Sequence, residues 1–181
     1  MRAATTLIAT LVFSLCLWAA PAGKASAIEV GEKAPDFELE STAVGKLRLS
    51  NLKGKNILIN FYVLDFSPTL IQCLEASGAD NYPKFKAENT EIMGISANAL
   101  FSQKAFADFT KINYPLLSDR EGKVMQAFGV YDAERRVAKR SYVIIDKDGV
   151  IRYLNIRPTN TAKDLVSTEE LLGEVKKVNK R

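Results

Sequence analysis

Three runs of this chain are apolar enough to be strands covered on both faces: Asn56 to Val63 (NILINFYV), Thr90 to Ser96 (TEIMGIS) and Ser141 to Ile145 (SYVII). Their apolar positions are nearly continuous rather than alternating, which is the pattern of a sheet interior. Phe37 to Glu40 and Leu47 to Leu49 alternate apolar with polar, as short edge strands do, and a polar, Pro-bearing lead-in from Ile28 to Asp36 precedes them. Helical signals fall between the strands. Ser67-Pro68 pairs an N-cap hydroxyl with a proline at the first helical position, predicting a helix from Pro68 to about Ala76 that Ser77-Gly78 and Pro83 break. Leu100 to Ile112 places Phe101, Ala105, Phe106 and Phe109 at helical spacing, and these are expected to face the core.

Gly122 to Phe128 reads as a short helix closed by Gly129 at C′. Asp146-Lys-Asp-Gly149 reads as a turn into a strand over Val150 to Ile156. From Thr161 to Lys180 the chain is expected to be helical, with Asp164, Glu169 and Glu170 early and Lys176, Lys177 and Lys180 late, as the helix dipole favours. Alternating strands and helices of this kind predict an α/β fold, with a central mixed β-sheet flanked by helices.

The first residues read differently. Arg2 supplies positive charge, Leu7 to Ala20 is an apolar run shorter than the ~18 residues of a membrane span, and Ala25-Ser26-Ala27 is a small-x-small cleavage pattern. Residues 1–27 are therefore expected to be a secretory signal peptide and residues 28–181 a single domain, periplasmic or extracellular, with no stable membrane span after cleavage. Cleavage would remove Cys16 and leave Cys73 without a partner for an internal disulfide, a CxxC pair or a cysteine metal cluster.

Composition narrows the chemistry further. The 181 residues contain no histidine, which excludes Ser-His-Asp and Cys-His nucleophiles and every imidazole acid–base mechanism. Lys and Arg number 25 against 21 Asp and Glu, a net charge of +4, too small an excess to imply a nucleic-acid partner. No glycine-rich phosphate loop appears, and neither a cofactor nor a metal is expected. The stretch Arg135, Arg136, Lys139 and Arg140 reads as a solvated loop with one inward arginine.

Phe61 to Leu70 (FYVLDFSPTL), Gly94-Ile-Ser96, Tyr114 to Asp119 (YPLLSD), Ala127-Phe-Gly129 and Arg140 to Gly149 (RSYVIIDKDG) together resemble the peroxiredoxin family, also called alkyl hydroperoxide reductase/thiol-specific antioxidant. The resemblance runs from about Gly31 to Ile156. It implies a thioredoxin-like fold with an N-terminal β-hairpin, and reduction of peroxides by a cysteine thiolate. The family's site pattern is P-x-x-x-T/S-x-x-C. On that pattern Val63 stands where the shielding proline is expected, Ser67 keeps the hydroxyl, Leu70 occupies the position of the peroxidatic cysteine, and Arg140 matches the distant arginine.

Cys73 follows Leu70 by three residues, roughly one helical turn and ~4.5 Å along the axis. Two readings follow. In one, Cys73, Ser67 and Arg140 are the catalytic residues of an exported, peroxiredoxin-like thiol oxidoreductase. It takes a peroxide or another small molecule as substrate, and an external thiol reduces the oxidised cysteine. In the other, Cys73 is an inert buried cysteine, and the fold binds a small molecule or an envelope partner without peroxidase activity. Arg140 is expected to point at the N-terminus of the Pro68 helix with Ser67 close by. Position N6 and leucine neighbours would raise the Cys73 pKa and make peroxide reduction slow.

Overall fold

A computed structural model describes residues 28–67, 81–159, 161 and 165–180. The leader and the helix expected from Pro68 lie outside the described residues. Strands β1 (Glu38–Ser41), β2 (Lys46–Arg48), β3 (Asn56–Phe61), β4 (Thr90–Ser96), β5 (Leu116–Ser118), β8 (Ser141–Ile145) and β9 (Ile151–Ile156) form one sheet in the order β2-β1-β5-β4-β3-β8-β9. The pairs β3–β4 and β4–β5 are parallel, whereas β1–β2, β1–β5, β3–β8 and β8–β9 are antiparallel. The sheet is therefore mixed, and β1–β2 is the N-terminal hairpin that the family resemblance implies. Strands β6 (Tyr131–Asp132) and β7 (Val137–Ala138) make a separate small hairpin.

Both faces of the central strands are buried, which is why their sequences are continuously apolar. One face packs Ile57, Ile59, Phe61, Met93, Ile95 and Val143 against Phe37 and against Val124, Met125 and Phe128 in and after helix α3 (Lys123–Ala127). The other packs Leu58, Tyr62, Ile92, Tyr142 and Ile144 against α1 (Tyr82–Ala87), α2 (Leu100–Thr110) and α4 (Thr168–Asn179) through Phe85, Phe106, Leu171 and Val175. A layer of helix on each side of a sheet is the arrangement that hides strands of this composition.

Pro83 sits in the first turn of α1, where its missing N–H costs nothing. Three expectations need correction. Helix α4 begins at Thr168 rather than Thr161, because Ser167 caps it by accepting from the Glu170 amide at 3.1 Å. Strand β3 ends at Phe61, and the chain then turns away. In α2 only Phe106 of the three aromatics is core: Phe101 and Phe109 are 78% and 66% exposed, Ala105 is exposed too, and the inward positions are Gln103 and Phe106.

The turns follow their sequences. Asp146 accepts from the amides of Asp148 and Val150 at 2.9 and 2.8 Å, and Gly149 takes the positive φ of 80° that closes the β8–β9 hairpin. Gly129 at φ 65° closes α3, with the Val130 amide reaching back to the Met125 carbonyl at 2.9 Å.

Candidate active site

The carboxyl ends of parallel strands are where α/β sheets present their chemistry. At that end of the sheet β3 delivers residues 62–67, and β8 begins beside it. Ser141 pairs with Phe61, so the antiparallel register carried one step further sets Arg140 opposite Tyr62. The ladder towards β9 includes the same residue, since the Arg157 amide donates to the Arg140 carbonyl at 2.9 Å. Arg140 is wholly buried while Arg135, Arg136 and Lys139 are exposed, so the basic stretch is a solvated loop with one inward arginine. Its guanidinium donates from Nη1 to the Thr161 carbonyl at 3.2 Å. A guanidinium withdrawn from water is costly unless acceptors meet it, and its five-donor fork is suited to oxyanions.

Residues 62–67 are held from three sides. The Tyr62 amide donates to the Ile95 carbonyl at 3.0 Å, and the ring lies across β4 where Gly94 leaves room: a Cβ there would meet Tyr62 Cε1 at 3.1 Å and Leu116 Cδ2 at 2.7 Å. The phenol donates to Asp65 Oδ1 at 3.0 Å and accepts from Gln103 Nε2 at 3.1 Å. Burial, with the Asp65 charge beside it, pushes the Tyr62 hydroxyl well above its ordinary range, so it stays protonated and donates. Asp65 Oδ2 accepts from Ser102 Oγ at 2.6 Å, and the Asp65 amide donates to Asn98 Oδ1 at 3.3 Å. Burial raises the Asp65 pKa, and its two hydroxyl partners offset only part of that.

Two features of the turn are unfavourable alone. Phe66 adopts φ 57°, a left-handed conformation that costs a bulky residue about 1–2 kcal/mol. The Ser67 Oγ is shielded from water and makes no hydrogen bond to any of the described residues, a condition that carries a desolvation cost. Val63 is buried and keeps an apolar wall where the family pattern has proline. Leu70 and Cys73 lie outside the described residues, as does the Pro68 helix that Arg140 was expected to face. Among the site residues expected from sequence, the described ones are thus Arg140, at the end of β3, and Ser67, at the end of the turn that leaves it.

The sequence reading passed over Tyr62, Asp65, Asn98, Ser102 and Gln103. No spacing announces them, because Asp65 is 33 residues from Asn98 and 37 from Ser102. Among the described residues no group of three or more Cys, Asp or Glu side chains is placed to hold a metal ion, and no helix is long and apolar enough to cross a membrane.

Comparison with known proteins shows the family and the fold. The family model described as AhpC/TSA family matches residues 30–154. The chloroplastic 2-Cys peroxiredoxin BAS1 of Spinacia oleracea is 34% identical over 157 residues, an alignment covering 79% of this chain and 58% of that protein. This chain therefore spans little more than half the length of that relative. Chloroplastic peroxiredoxin Q of Sedum lineare is 33% identical over 149 residues, covering 81% of this chain and 78% of its own. The crystal structure of Enterococcus faecalis AhpC matches with a TM-score of 0.75 at 26% identity, over 82% of this chain and 90% of that one.

Proposed function

The chain belongs to the AhpC/TSA family of peroxiredoxins, and from that premise we propose that it is an exported thiol oxidoreductase that reduces peroxides through Cys73. The observation that carries this reading is a wholly buried arginine at the end of β3, the strand from which the turn ending at Ser67 departs, together with a Ser67 hydroxyl that is shielded from water and bonded to none of the described residues. A peroxide needs both: a donor to fix its oxygen, and a cation to stabilise the charge that develops as the O–O bond opens.

The Cys73 thiolate attacks one peroxide oxygen. A sulfur–oxygen bond forms as the O–O bond breaks, and the departing alkoxide or hydroxide takes a proton to leave as alcohol or water. The cysteine is oxidised by two electrons to sulfenic acid. An external thiol then attacks that sulfur, expelling water and forming a mixed disulfide, and a second external thiol completes the reduction. Outside help is required because Cys16, the other cysteine of the sequence, falls within the leader. Export rests on the leader pattern of residues 1–27, and a mature protein whose mass begins at Ile28 would support it.

The test is peroxide-dependent trapping of Cys73 with a dione probe that reacts with sulfenic acids, read by peptide mass. The expected result is an adduct on Cys73 that grows with peroxide and disappears on adding thiol. A cysteine that stays a free thiol in excess peroxide overturns the reading. A second reading, a binding protein that keeps the fold without the chemistry, is favoured by Leu70 standing at the position the family pattern gives to cysteine. That negative result would leave it as the remaining reading, for a binding measurement to decide.

A further inference from the structure

We propose that Asp65 is the positioning residue of this site: its carboxylate ties residues 62–67 to the first turns of α2, and so fixes where Ser67 presents its hydroxyl. What is positioned rests on the thiol oxidoreductase reading; that Asp65 does the holding rests on its contacts alone.

Both oxygens of the carboxylate are taken by hydroxyls from different elements, Tyr62 at the end of β3 (3.0 Å) and Ser102 in α2 (2.6 Å). The backbone amide of the same residue is held by Asn98 at 3.3 Å, in the connection between β4 and α2. Each of those anchors is itself fixed. Gln103 Nε2 reaches the Tyr62 hydroxyl, Ser96 Oγ and the Leu117 carbonyl at 2.8–3.1 Å, and the Asn98 carbonyl accepts from Ser118 Oγ at 2.7 Å. Asp65 therefore closes a frame whose other members belong to β3, β4, β5 and α2.

Asp65, at 9% exposure, is unsuited to a role in solubility or surface charge. The contacts of its side chain also argue against proton exchange with a substrate, since both oxygens already accept from the scaffold. Three consecutive residues are individually unfavourable: a desolvated carboxylate, a left-handed Phe66 and a Ser67 hydroxyl without a partner among the described residues. Strain of this kind persists only where surrounding contacts over-determine it; here the Phe66 ring packs on Phe106 and Phe109, and the hydrogen bonds that hold the turn converge on Asp65.

The experiment compares D65A, D65N and S102A with the parent in the full chain. Hydrogen exchange is followed at the amides of residues 65–67, and the rate of Cys73 alkylation by iodoacetamide is followed against pH. In D65N the amide oxygen can accept from Tyr62 while its NH2 donates to Ser102 Oγ, so exchange and the alkylation profile should stay close to the parent. D65A should exchange ~tenfold or more faster at those amides and shift the alkylation profile, because both side-chain hydrogen bonds that anchor the turn are lost. S102A, which removes one anchor and leaves the carboxylate, should fall between them, and it decides the matter if D65A does not fold.

The proposal is overturned if D65A, or S102A in its place, matches the parent in both readouts. It is overturned equally if D65N is as impaired as D65A, which would make the charge rather than the geometry the working part. Failure of the functional reading looks different: the parent's Cys73 would not react with peroxide, while amide exchange would still decide the role of Asp65.

Discussion

Whether Cys73 is a fast nucleophile depends on two opposing effects. The sequence expectation is a helix from Pro68 with Ser67 as N-cap, and its start, together with Arg140, wholly buried at the end of β3, would favour a thiolate. Cys73 would then be the sixth residue of that helix, a turn beyond its free amides, with Leu70 and Leu74 as sequence neighbours. The dipole's influence fades within the first turn, so on that expectation desolvation outweighs what favours the thiolate. We expect slow peroxide consumption by the parent and its loss in C73S. On the same expectation L70C would put the sulfur at the third helical position, ~4.5 Å nearer the free amides, and should raise the peroxide rate constant by tenfold or more if the surrounding scaffold is intact. Stopped-flow peroxide consumption decides both. A fast parent rate abolished by C73S would mean that Cys73 has taken over fully, and an L70C variant no faster than the parent would mean that the scaffold no longer serves that position.

At the scale of elements, α2 connects core and site through different faces. Its aromatics are spaced as one helical face, yet Phe106 is fully buried while Phe101 and Phe109 are exposed. The inward place beside Phe106 goes to Gln103, which hydrogen-bonds Tyr62, Ser96 and the Leu117 carbonyl and so holds three strands together. F106A should lower the unfolding free energy by about 3–5 kcal/mol. F101S and F109S should each change it by no more than ~0.5 kcal/mol, measured by urea denaturation. A large loss in F109S would mean that its ring contact with Phe66, centroids 5.9 Å apart, supports the site turn. The same helix explains what could be read from the sequence. Thr90–Ser96 and Ser141–Ile145 were legible to the residue because both faces of those strands are apolar. Strand β3 ends at Phe61, short of the expected Val63, because burial continues through Tyr62, whose amide still bonds Ile95, and Val63 beyond the end of the strand. Ser67 and Arg140 come from the family pattern, which marks residue types at fixed spacing. The polar frame around Asp65 was not legible, because its members meet only through tertiary packing and a buried glutamine looks like any other polar position on a helix.

Across the whole molecule, carboxyls at the two ends of the sheet are perturbed in opposite directions. At the end where β3 and β4 begin, Glu91 accepts from Lys55, Lys86 and Tyr82 at 2.5, 2.6 and 2.7 Å. Although burial opposes it, these partners lower the Glu91 pKa from the ordinary 4.5 to about 2. Asp146, bonded to Arg152 at 2.6 Å and to two backbone amides, is lowered at the same end. At the other end, where β3 and β5 finish, burial raises Asp65 and Asp119 despite their hydrogen bonds. One end is built for stability, and the other carries carboxylates that the fold would hold more favourably as neutral acids. The linkage signs follow. Glu91 contributes stability that is complete above pH 4.5 and is lost as the pH falls towards about 2. Asp65 behaves oppositely: the favourable contribution of its neutral form is complete below 3.8 and is lost as the pH rises through its raised folded value. Urea midpoints measured from pH 2 to 7 should therefore show the parent's advantage over E91Q shrinking steadily between pH 4.5 and 2, while any advantage of D65N over the parent grows as the pH rises above 3.8. A parent-to-E91Q difference that stays flat across the acid range would mean that the lysines around Glu91 add no stability through its charge. A D65N variant that loses ground as the pH rises would mean that the ionised Asp65 is a stabilising group, and that end of the sheet would then carry no cost for its chemistry.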